Sequence, residues 1–349
     1  MQLRRLGGSG LQVPLLALGT MTFNGDNPRL KAVGTTGLAD ATRQVDRCLE
    51  AGACLFDTAD VYGQGESERL LGQALGRRRP GALIATKAVL RSGPGVFDAG
   101  ASRRHLIEAC EGSLKRLGTD WIDLYQLHGF DALTPLDETL EALAALLRQG
   151  KVRYLGVSNY PAWQLMKALG LADAAGLPRF VSHQLHYSLV NRDAEHELLP
   201  LGLDQQVGSL VWSPLAFGFL SGKFARGAER DRSARLGMGE YPFLFDWERG
   251  FRVLDVVRDI AAERRASPAQ VALNWLAAKP TIASILIGAR TEAQLADNLA
   301  AAGWSLTAAE VARLDAAGPP TVPYPQWHQR NYAPDRNPPL PSFVDYAGR

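Results

Sequence analysis

Four residues whose side chains exchange protons stand at the ends of short apolar runs in this chain. Asp57, Lys87 and His128 each directly follow such a run, and Tyr62 lies in a glycine-containing turn shortly after Asp57. In a parallel β/α barrel the carboxyl ends of the strands meet on one face, where active sites are built. The four side chains are therefore predicted to meet at one end of such a barrel.

These side-chain types suit the reduction of a carbonyl group by hydride. The alkoxide must be protonated as it forms. Tyrosine can donate that proton, although its ordinary pKa of about 10 makes it a weak acid near neutrality. A neighbouring ammonium lowers the pKa of tyrosine by favouring the phenolate, a carboxylate keeps the lysine charged, and a histidine donor polarises the carbonyl. Tyr62, Lys87, Asp57 and His128 supply one of each type.

Eight short runs of continuous apolar residues indicate the strands. Continuous rather than alternating apolarity is typical of strands covered on both faces, as in a parallel sheet. Between the runs, apolar residues recur at spacings of three and four, which predicts amphipathic helices. Eight such units favour an α/β fold that closes into a (β/α)8 TIM barrel over an open sheet. The predicted strands are residues 15–18, 53–56, 82–86, 122–127, 152–157, 180–185, 209–212 and 284–287.

Residues that favour helix N-termini precede several helical segments. Ser267 is followed by proline, and Thr291 and Thr307 each have Gln or Glu three residues later, which is the spacing of a capping box. Thr134 precedes Pro135, which predicts an N-cap with proline at the first helical position. These signals predict a helix beginning just after each of the four residues.

Two segments lie outside the repeat. Residues 213–249 form a long connection after the seventh predicted strand, and connections of this length in a compact domain are usually functional. Residues 318–349 are rich in proline but keep several aromatic side chains, which disordered segments rarely do. We therefore expect one barrel domain over residues 1–349, with a long loop after strand 7 and a C-terminal tail that packs on the barrel.

Composition and charge argue against several classes of function. Lys and Arg, 38 in all, nearly balance 36 Asp and Glu, which argues against a nucleic-acid partner. The one dense basic run, residues 77–79, is interpreted as a solvated turn. No stretch has the length of a membrane span and the N-terminus carries no apolar signal core. A cytoplasmic location without membrane association is expected.

The cysteines and paired histidines do not predict a metal site. Cys48, Cys54 and Cys110 match no metal-binding spacing and are expected to be small core residues in a reducing compartment. His183 and His186 have no third ligand spaced near them, and a catalytic zinc usually needs three protein ligands. We therefore expect no bound metal.

The proton-exchanging residues and their neighbours resemble the motifs of the aldo-keto reductase family. The resemblance runs nearly end to end, from Gly19 to Asn298. It fits a bacterial, NADPH-dependent branch that is similar to potassium-channel β subunits and aryl-alcohol dehydrogenases. The catalytic residues that the resemblance implies are Asp57, Tyr62, Lys87 and His128.

The resemblance also implies that NADPH or NADP+ binds at the barrel mouth. Segment 156–159 and Gln184 match motifs that contact the nicotinamide carboxamide, and segment 212–215 matches the motif whose aromatic residue stacks on the nicotinamide. Segment 218–223 continues as the pyrophosphate loop, and segment 287–290 resembles the site for the adenosine 2′-phosphate. The implied cofactor contacts are Gly19, Thr20, Met21, Asp57, Ser158, Asn159, Gln184, Trp212, Ser213, Pro214, Leu215, Gly218, Leu220, Gly222, Lys223, Ile287, Gly288, Arg290, Gln294 and Asn298.

The 2′-phosphate assignment has a physical reason of its own. Arg290 directly precedes a capped helix, so a planar cation and a positive helix end converge, which favours NADP(H) over NAD(H). For Thr291 and Gln294 a capping box is an alternative explanation. The chain departs from the family pattern at Trp212, where many relatives have tyrosine, and at His186, where an acidic residue is common. Tryptophan should still stack on the nicotinamide.

The sequence thus predicts an NADPH-dependent oxidoreductase that reduces an aldehyde or ketone group of a small molecule to an alcohol, with Tyr62 as proton donor. Two alternatives stay open: an NADPH-binding regulatory or redox-sensing subunit with little turnover, and a phosphate-binding barrel isomerase. The substrate is open between aryl carbonyls, sugars and ketone-bearing natural products, and the oligomeric state is not indicated. Candidate walls of the substrate pocket are Phe23, Phe130, Tyr241, Phe243 and Trp247.

Overall fold

The computed structural model of the chain describes residues 1–25, 34–227 and 246–333. Each of the eight predicted apolar runs forms a strand, and these eight strands close into a parallel barrel. The described strands are β1 (Leu3–Arg5), β2 (Gln12–Pro14), β3 (Leu16–Gly19), β4 (Leu55–Asp57), β5 (Leu83–Ala88), β6 (Ile122–Leu127), β7 (Val152–Ser158), β8 (Ser182–His186), β9 (Gly208–Trp212) and β10 (Ile282–Ile287).

Strands β3 to β10 are hydrogen-bonded in chain order, and β10 pairs with β3 to close the barrel. A helix follows each barrel strand, so the (β/α)8 prediction is confirmed. Among the described helices, a further one lies between β9 and β10, and two more follow the helix after β10. The described helices are α1 (Leu38–Glu50), α2 (Glu66–Leu75), α3 (Arg103–Leu117), α4 (Leu136–Arg148), α5 (Ala162–Ala174), α6 (Leu198–Asp204), α7 (Trp247–Arg264), α8 (Pro268–Ala277), α9 (Glu292–Ala300), α10 (Ala308–Ala317) and α11 (Gln326–Tyr332).

Three of the four predicted N-caps are confirmed. The Ser267, Thr291 and Thr307 side chains each accept a hydrogen bond from a backbone amide in the first turn of α8, α9 and α10. The prediction at Thr134 is wrong, because α4 begins one residue later and the Thr134 hydroxyl donates instead to Asp131 at 2.7 Å. Pro135 therefore occupies the N-cap position, and Asp131 in the preceding loop orients the Thr134 hydroxyl.

The alternation of side chains along the barrel strands separates two apolar clusters. Ala17, Leu55, Ala85, Leu124 and Leu210 belong to a small cluster, which by the two-residue period of a strand faces the barrel interior. Their neighbours along each strand belong to a larger cluster that packs under the helices. On each strand, the residue two positions beyond a member of the small cluster also faces the barrel interior. On β4 and β5 this residue is polar and lies at the mouth of the barrel.

An N-terminal hairpin, which the sequence analysis did not predict, lies at the opposite end of the barrel. Its strands β1 and β2 pair antiparallel, and Leu6 between them is fully buried in the interior cluster. The Arg4 guanidinium donates to the backbone oxygens of Ala277 and Ile282, both at 2.7 Å. The hairpin therefore closes the amino-terminal end of the barrel, and the carboxyl-terminal end stays open.

The basic run 77–79 is only in part a solvated turn. Arg79 is buried, stacks its guanidinium over the Trp121 ring and pairs with Asp123 at 2.8 Å. The expectation of solvation is therefore wrong for Arg79. The residue is held because Asp123, inside the run that forms β6, provides a buried partner.

The cysteines are free, and burial raises the pKa of both Cys48 and Cys110 to about 12. These two are core residues as expected, whereas Cys54 is half-buried. Among the described residues, no helix combines the length and apolarity required to cross a bilayer.

The C-terminal tail is described as far as residue 333. Residues 319–333 are mostly exposed, with exposed fractions of 74% for Tyr324, 43% for Trp327 and 72% for Tyr332. Tyr324, just before α11, contacts Trp327, and within α11 His328 contacts both Trp327 and Tyr332. The packing of the tail on the barrel stays a prediction, and residues 334–349 lie outside the described part of the chain.

Candidate active site

The predicted tetrad meets at the carboxyl-terminal mouth of the barrel. Asp57 is the last residue of β4, Lys87 is the penultimate residue of β5, and His128 directly follows β6. Each lies an even number of positions beyond an inward-facing residue of its own strand, so all three side chains face the barrel axis. Tyr62 opens a one-turn 3₁₀ segment between β4 and α2.

Lys87 is the centre of this group. Its side chain is fully buried, and Nζ donates to Asp57 Oδ1 at 2.5 Å and to the Thr58 backbone oxygen at 2.8 Å. Nζ lies 5.1 Å from the centre of the Tyr62 ring. Burial acts to lower the pKa of Lys87, but the charges of Asp57 and Tyr62 and hydrogen bonds to both give a net rise. Lys87 is therefore a buried ammonium ion that contacts the phenol.

His128 stands on the other side of the phenol. The imidazole and the Tyr62 ring are 5.8 Å apart and nearly perpendicular. Burial, and then the charge of Lys87, lower the pKa of His128 to about 3. The imidazole is therefore neutral at physiological pH. Within the described residues its Nδ1 atom is buried and has no hydrogen-bond partner.

Two glutamines hold the second oxygen of the Asp57 carboxylate. Gln184 donates to Asp57 Oδ2 at 2.7 Å and Gln126 donates to it at 3.2 Å. A Cβ atom on Gly156 would lie 2.3 Å from Ser182 Oγ and 3.2 Å from Gln126 Cγ. Glycine at this inward-facing position therefore gives Gln126 the room to reach Asp57.

Gln126 was not identified from the sequence, although a polar residue inside a continuous apolar run was a signal for it. Gln184 was predicted to contact a nicotinamide carboxamide. It lines the cavity described below, and one of its two amide hydrogens is directed at Asp57. The same nitrogen also donates weakly to Gln126 Oε1 at 3.4 Å, so a contact of Gln184 with a ligand would be made mainly through its amide oxygen.

A buried hydroxyl cluster supports the tetrad from behind. The Thr20 hydroxyl donates to the Asp57 backbone oxygen at 3.1 Å and lies 2.8 Å from Ser67 Oγ, which in turn lies 3.0 Å from Thr58 Oγ1. Thr20 is fully buried. Its side chain therefore fixes the backbone around Asp57.

A cavity of about 690 Å³ opens above the tetrad. This volume is in the range of small-molecule sites. Four predicted site residues do not line it: Thr20, Lys87 and Leu220, which are fully buried, and Gly222. The predicted site residues that do line it are Gly19, Met21, Asp57, Tyr62, His128, Ser158, Asn159, Gln184, Trp212, Ser213, Pro214, Leu215, Gly218, Lys223, Ile287, Gly288, Arg290, Gln294 and Asn298.

One wall of the cavity is a fixed aromatic face. Trp212 Nε1 donates to Asn159 Oδ1 at 3.1 Å, and Asn159 Nδ2 donates to the His128 backbone oxygen at 3.0 Å. The His186 ring stacks on Trp212 with centres 4.5 Å apart and planes 21° apart. His186, where the sequence departs from the family pattern, therefore supports Trp212. Asn159 adopts a φ of +56°, which is uncommon for a residue other than glycine.

The loop after β9 has several residues in the left-handed backbone region. Ser213, Ala216 and Phe217 have φ values of +50°, +47° and +56°, and Gly218 has +92°. Such strain persists where the surrounding structure imposes it, and it clusters at ligand sites. Successive backbone N–H groups in turns of this kind form concave anion sites. Lys223 Nζ lies beside Gly218, so a cation accompanies this turn.

The far end of the cavity is formed by the start of α9. Gln294 Oε1 accepts a hydrogen bond from the Arg290 backbone amide at 2.9 Å, rather than from the N-cap residue Thr291. Asn298 donates to the Gly288 backbone oxygen at 3.3 Å. The capping explanation thus accounts for the Thr291 side chain but not for that of Gln294, and Arg290 lies at the positive end of a helix.

Three of the proposed pocket walls are elsewhere. Phe23 is fully buried in the large apolar cluster, Phe130 packs edge-on against Tyr160, and Trp247 packs on Phe219. These interpretations were wrong because the position of an aromatic residue in the sequence does not show which side of its loop or helix packs on the core. Tyr241 and Phe243 lie outside the described residues.

His183 and His186 do not share a site. His183 Nε2 accepts a hydrogen bond from the Tyr160 backbone amide at 3.3 Å, whereas His186 stacks on Trp212. Three positions apart on a strand, they face opposite sides. In the described ranges no group of three or more His, Cys, Asp or Glu residues is arranged to hold a metal ion.

Fold and site together define a β/α-barrel protein with Asp57, Tyr62, Lys87 and His128 grouped at the mouth of the barrel. Residues 15–319 match the sequence profile of the aldo/keto reductase family. The chain belongs to that family.

Relatives of the chain have different names. It is 38% identical over 322 residues to an uncharacterized oxidoreductase, YrpG, of Bacillus subtilis (88% of this chain and 92% of that protein). It is 35% identical over 308 residues to a probable voltage-gated potassium channel subunit beta of Arabidopsis thaliana (86% and 91%). It is 29% identical over 345 residues to versiconal hemiacetal acetate reductase of Aspergillus parasiticus (93% and 99%).

Proposed function

We propose that the protein is an NADPH-dependent oxidoreductase that reduces the aldehyde or ketone group of a small molecule to an alcohol. The observation that carries the proposal is the fully buried Lys87 ammonium, held by Asp57 at 2.5 Å and in contact with Tyr62. Names of the bacterial and fungal relatives, an oxidoreductase and a reductase, agree with this chemistry.

Tyr62 is the proton donor in this proposal. Its phenol lines the cavity, so it can donate to the oxygen of a substrate bound there. The positive charge of Lys87 stabilises the phenolate that remains. Asp57, fixed by two glutamines, keeps Lys87 charged in a site from which water is largely excluded.

His128 polarises the carbonyl. Because burial keeps it neutral, it offers one N–H to the substrate oxygen without adding a second positive charge beside Lys87. A neutral donor also leaves the proton on the phenol as the one that is transferred. The roles of tyrosine and histidine are thereby separated.

The residues that line the cavity fit a nicotinamide dinucleotide. Ser158, Asn159 and the face of Trp212 would hold the nicotinamide, next to Tyr62. The left-handed turn at 216–218 with Lys223 would hold the pyrophosphate. When bound, NADPH supplies the hydride. Arg290 at the start of α9 would pair with a 2′-phosphate, which supports NADPH rather than NADH.

The test is a panel of aldehydes and ketones, assayed for oxidation of NADPH and of NADH side by side. The proposal expects oxidation of NADPH with several carbonyls and a lower kcat/KM with NADH. Tight binding of NADPH without turnover across the panel would contradict it.

A second candidate function is that of an NADPH-binding subunit with little turnover. The 35% identity to plant proteins named as potassium channel β subunits favours it. It predicts the outcome that contradicts the first proposal, namely NADPH binding by fluorescence titration with no carbonyl-dependent oxidation. The same panel therefore separates the two candidates.

A further inference from the structure

A buried carboxylate that the proposed reaction does not use lies behind the tetrad. Glu68, in the first turn of α2, is fully buried. Its Oε1 atom accepts a hydrogen bond from the Thr86 hydroxyl at 2.6 Å, and its Oε2 atom accepts one from Arg116 Nε at 2.6 Å. A buried carboxylate is costly unless it is paired and hydrogen-bonded, and bonds to an ionised group are the strong ones. Glu68 therefore holds α2, β5 and α3 together at this point.

Thr86 connects Glu68 to the strand that carries Lys87. Ala85 belongs to the interior cluster, and successive side chains of a strand point to opposite faces. Lys87 therefore points into the barrel, whereas Thr86 points out to the helices, where Glu68 lies. The hydrogen bond from Thr86 to Glu68 thus fixes the end of β5 against α2.

Arg116 connects Glu68 to the turn that carries the proton donor. Gly65 is the last residue of the 3₁₀ segment that Tyr62 opens. A Cβ atom on Gly65 would lie 2.6 Å from Arg116 Cδ, and Gly65 adopts a φ of +87°. Glycine therefore lets the turn lie directly on the Arg116 side chain, which Glu68 and a 3.2 Å hydrogen bond to Ser113 Oγ hold in place.

The backbone of this turn depends on support from its surroundings. Gly63, Gln64 and Gly65 have φ values of +59°, +58° and +87°. For a residue other than glycine, such a conformation persists where the surrounding structure imposes it. Asn24 Oδ1 lies against Gly63, and the Arg116 side chain lies against Gly65. The position of the phenol is therefore tied to Arg116 and, through it, to Glu68.

We propose that Glu68 and Arg116 are positioning residues for the proton donor. As an ion pair they join the turn of Tyr62 to the strand of Lys87, and so fix the contact between the phenol and the ammonium ion. The inference rests on the proposed carbonyl reduction and adds two residues to it. Neither residue lines the cavity, so both act through Tyr62 and Lys87.

Two substitutions weaken this link in different ways. Glu68→Gln keeps the shape of the side chain, but an amide cannot accept both hydrogen bonds, because one of its ends is a donor. The Arg116 side chain is 27% exposed, so its guanidinium can turn to solvent when its partner is lost. Thr86→Val removes the hydroxyl without changing any charge.

Asp123→Asn is the matched control for both substitutions. Asp123 is likewise a buried carboxylate that accepts hydrogen bonds from an arginine, Arg79, and from a group on β5, the Ile84 backbone amide. It is the second residue of β6, at the end of the barrel opposite the tetrad. Asp123→Asn is expected to destabilise the protein and to keep the wild-type kcat.

The first readout is steady-state reduction of a carbonyl that the wild type reduces. A small displacement of a catalytic group from far away can cost about 10²-fold, so kcat of Glu68→Gln is expected to fall about 10–100-fold, while KM and the Kd for NADPH stay within about twofold. Thr86→Val should change kcat in the same direction and by less. Fluorescence titration of NADPH shows that each variant is loaded.

The second readout is the pH profile of alcohol oxidation with NADP+, in which the phenolate accepts the hydroxyl proton. A phenol that moves away from Lys87 loses a charge that favours the phenolate, so the pH of half-maximal rate should rise by about one unit. Removing the negative charge of Glu68 would by itself move the profile the other way. The charged and titratable groups Asp57, Asp60 and His128 are the same in every variant.

Wild-type kcat and an unshifted pH profile in both Glu68→Gln and Thr86→Val would overturn the positioning role and leave the proposed function intact. An equal loss of kcat in Asp123→Asn would also overturn it, because the effect would then follow general stability. NADPH binding without reduction of any carbonyl by the wild type would instead overturn the proposed function, and the positioning role with it. If Glu68→Gln does not fold, Thr86→Val decides the question.

Discussion

Replacing Asp60 with asparagine should stabilise the protein, and more so at high pH. Asp60 is 4% exposed, and no hydrogen bond of normal geometry reaches either carboxylate oxygen among the described residues. Burial and then the charge of Glu68 raise the pKa of Asp60 to about 7, against smaller opposing effects of Arg116, the Val61 amide and Lys87. The ionised form is therefore disfavoured in the folded protein.

The size of the effect follows from this pKa and the ordinary value of 3.8. A carboxyl whose pKa is raised by folding destabilises the folded state at any pH where the unfolded chain is ionised. The penalty is absent below pH 3.8 and complete above pH 7. At about 1.4 kcal/mol per pH unit it reaches about 4 kcal/mol at pH 8 and about 2 kcal/mol at pH 5. The stabilisation by Asp60→Asn should thus grow by about 2–3 kcal/mol between pH 5 and pH 8.

Urea unfolding of wild type and variant at several pH values measures this growth. Asp123→Asn is the matched control, because Asp123 is also buried but accepts hydrogen bonds from Arg79 and from the Ile84 backbone amide, each at 2.8 Å. That substitution should destabilise the protein, since it leaves Arg79 without its charged partner. An Asp60→Asn effect that is the same at pH 5 and pH 8 would refute the reasoning.

Two further predictions concern other parts of the molecule. Arg290→Met should raise the Kd for NADPH about tenfold in fluorescence titrations and leave that for NADH unchanged, since NADH lacks the 2′-phosphate; equal losses for both would contradict the phosphate assignment. Burial lowers the pKa of His183 and His186 to about 4, and of His128, with help from Lys87, to about 3. As the pH falls, these histidines are protonated in the unfolded chain at a higher pH than in the folded protein. The free energy of unfolding should therefore fall as pH drops from about 6.5 to 4. His183→Gln should reduce this slope by about 1.4 kcal/mol per pH unit, and an unchanged slope in urea titrations would contradict the buried neutral state.

The barrel was predictable because its strands are covered on both faces. Each of the eight continuous apolar runs became a barrel strand, with boundaries shifted by at most two residues. The hairpin β1–β2 was missed because its three-residue strands carry mixed polar and apolar side chains, and it is held by contacts far along the chain, such as that of Arg4 with Ile282. The local pattern of apolar and polar residues does not predict contacts between residues so far apart in the chain.

The tetrad could be placed from strand ends alone, but its supporting residues could not. Strand ends and the parallel order bring Asp57, Lys87 and His128 to one face. Gln126 reaches Asp57 because its side chain faces the barrel interior and because Gly156 leaves space beside it. Both conditions depend on the folded structure, so the role of Gln126 could not be predicted from the sequence.

The sequence also could not predict which polar side-chain atoms are buried without a hydrogen-bond partner. Asp60, Thr22 and Asn24 are ordinary polar residues in loops, where solvation is the usual expectation. Their burial arises from tertiary contacts, such as that of Asn24 with Gly63 in the loop after β4. Arg79 was expected to be solvated for the same reason, because its burial depends on contacts with residues distant in the chain.

The most direct test of the account is the turnover of Tyr62→Phe measured together with its affinity for NADPH. Phenylalanine keeps the ring and removes the one proton that the mechanism transfers. With a carbonyl that the wild type reduces, kcat should fall by about 10²–10⁴, while the Kd for NADPH stays within about twofold. A variant that binds NADPH equally well and retains wild-type kcat would contradict the central role of the phenol beside Lys87.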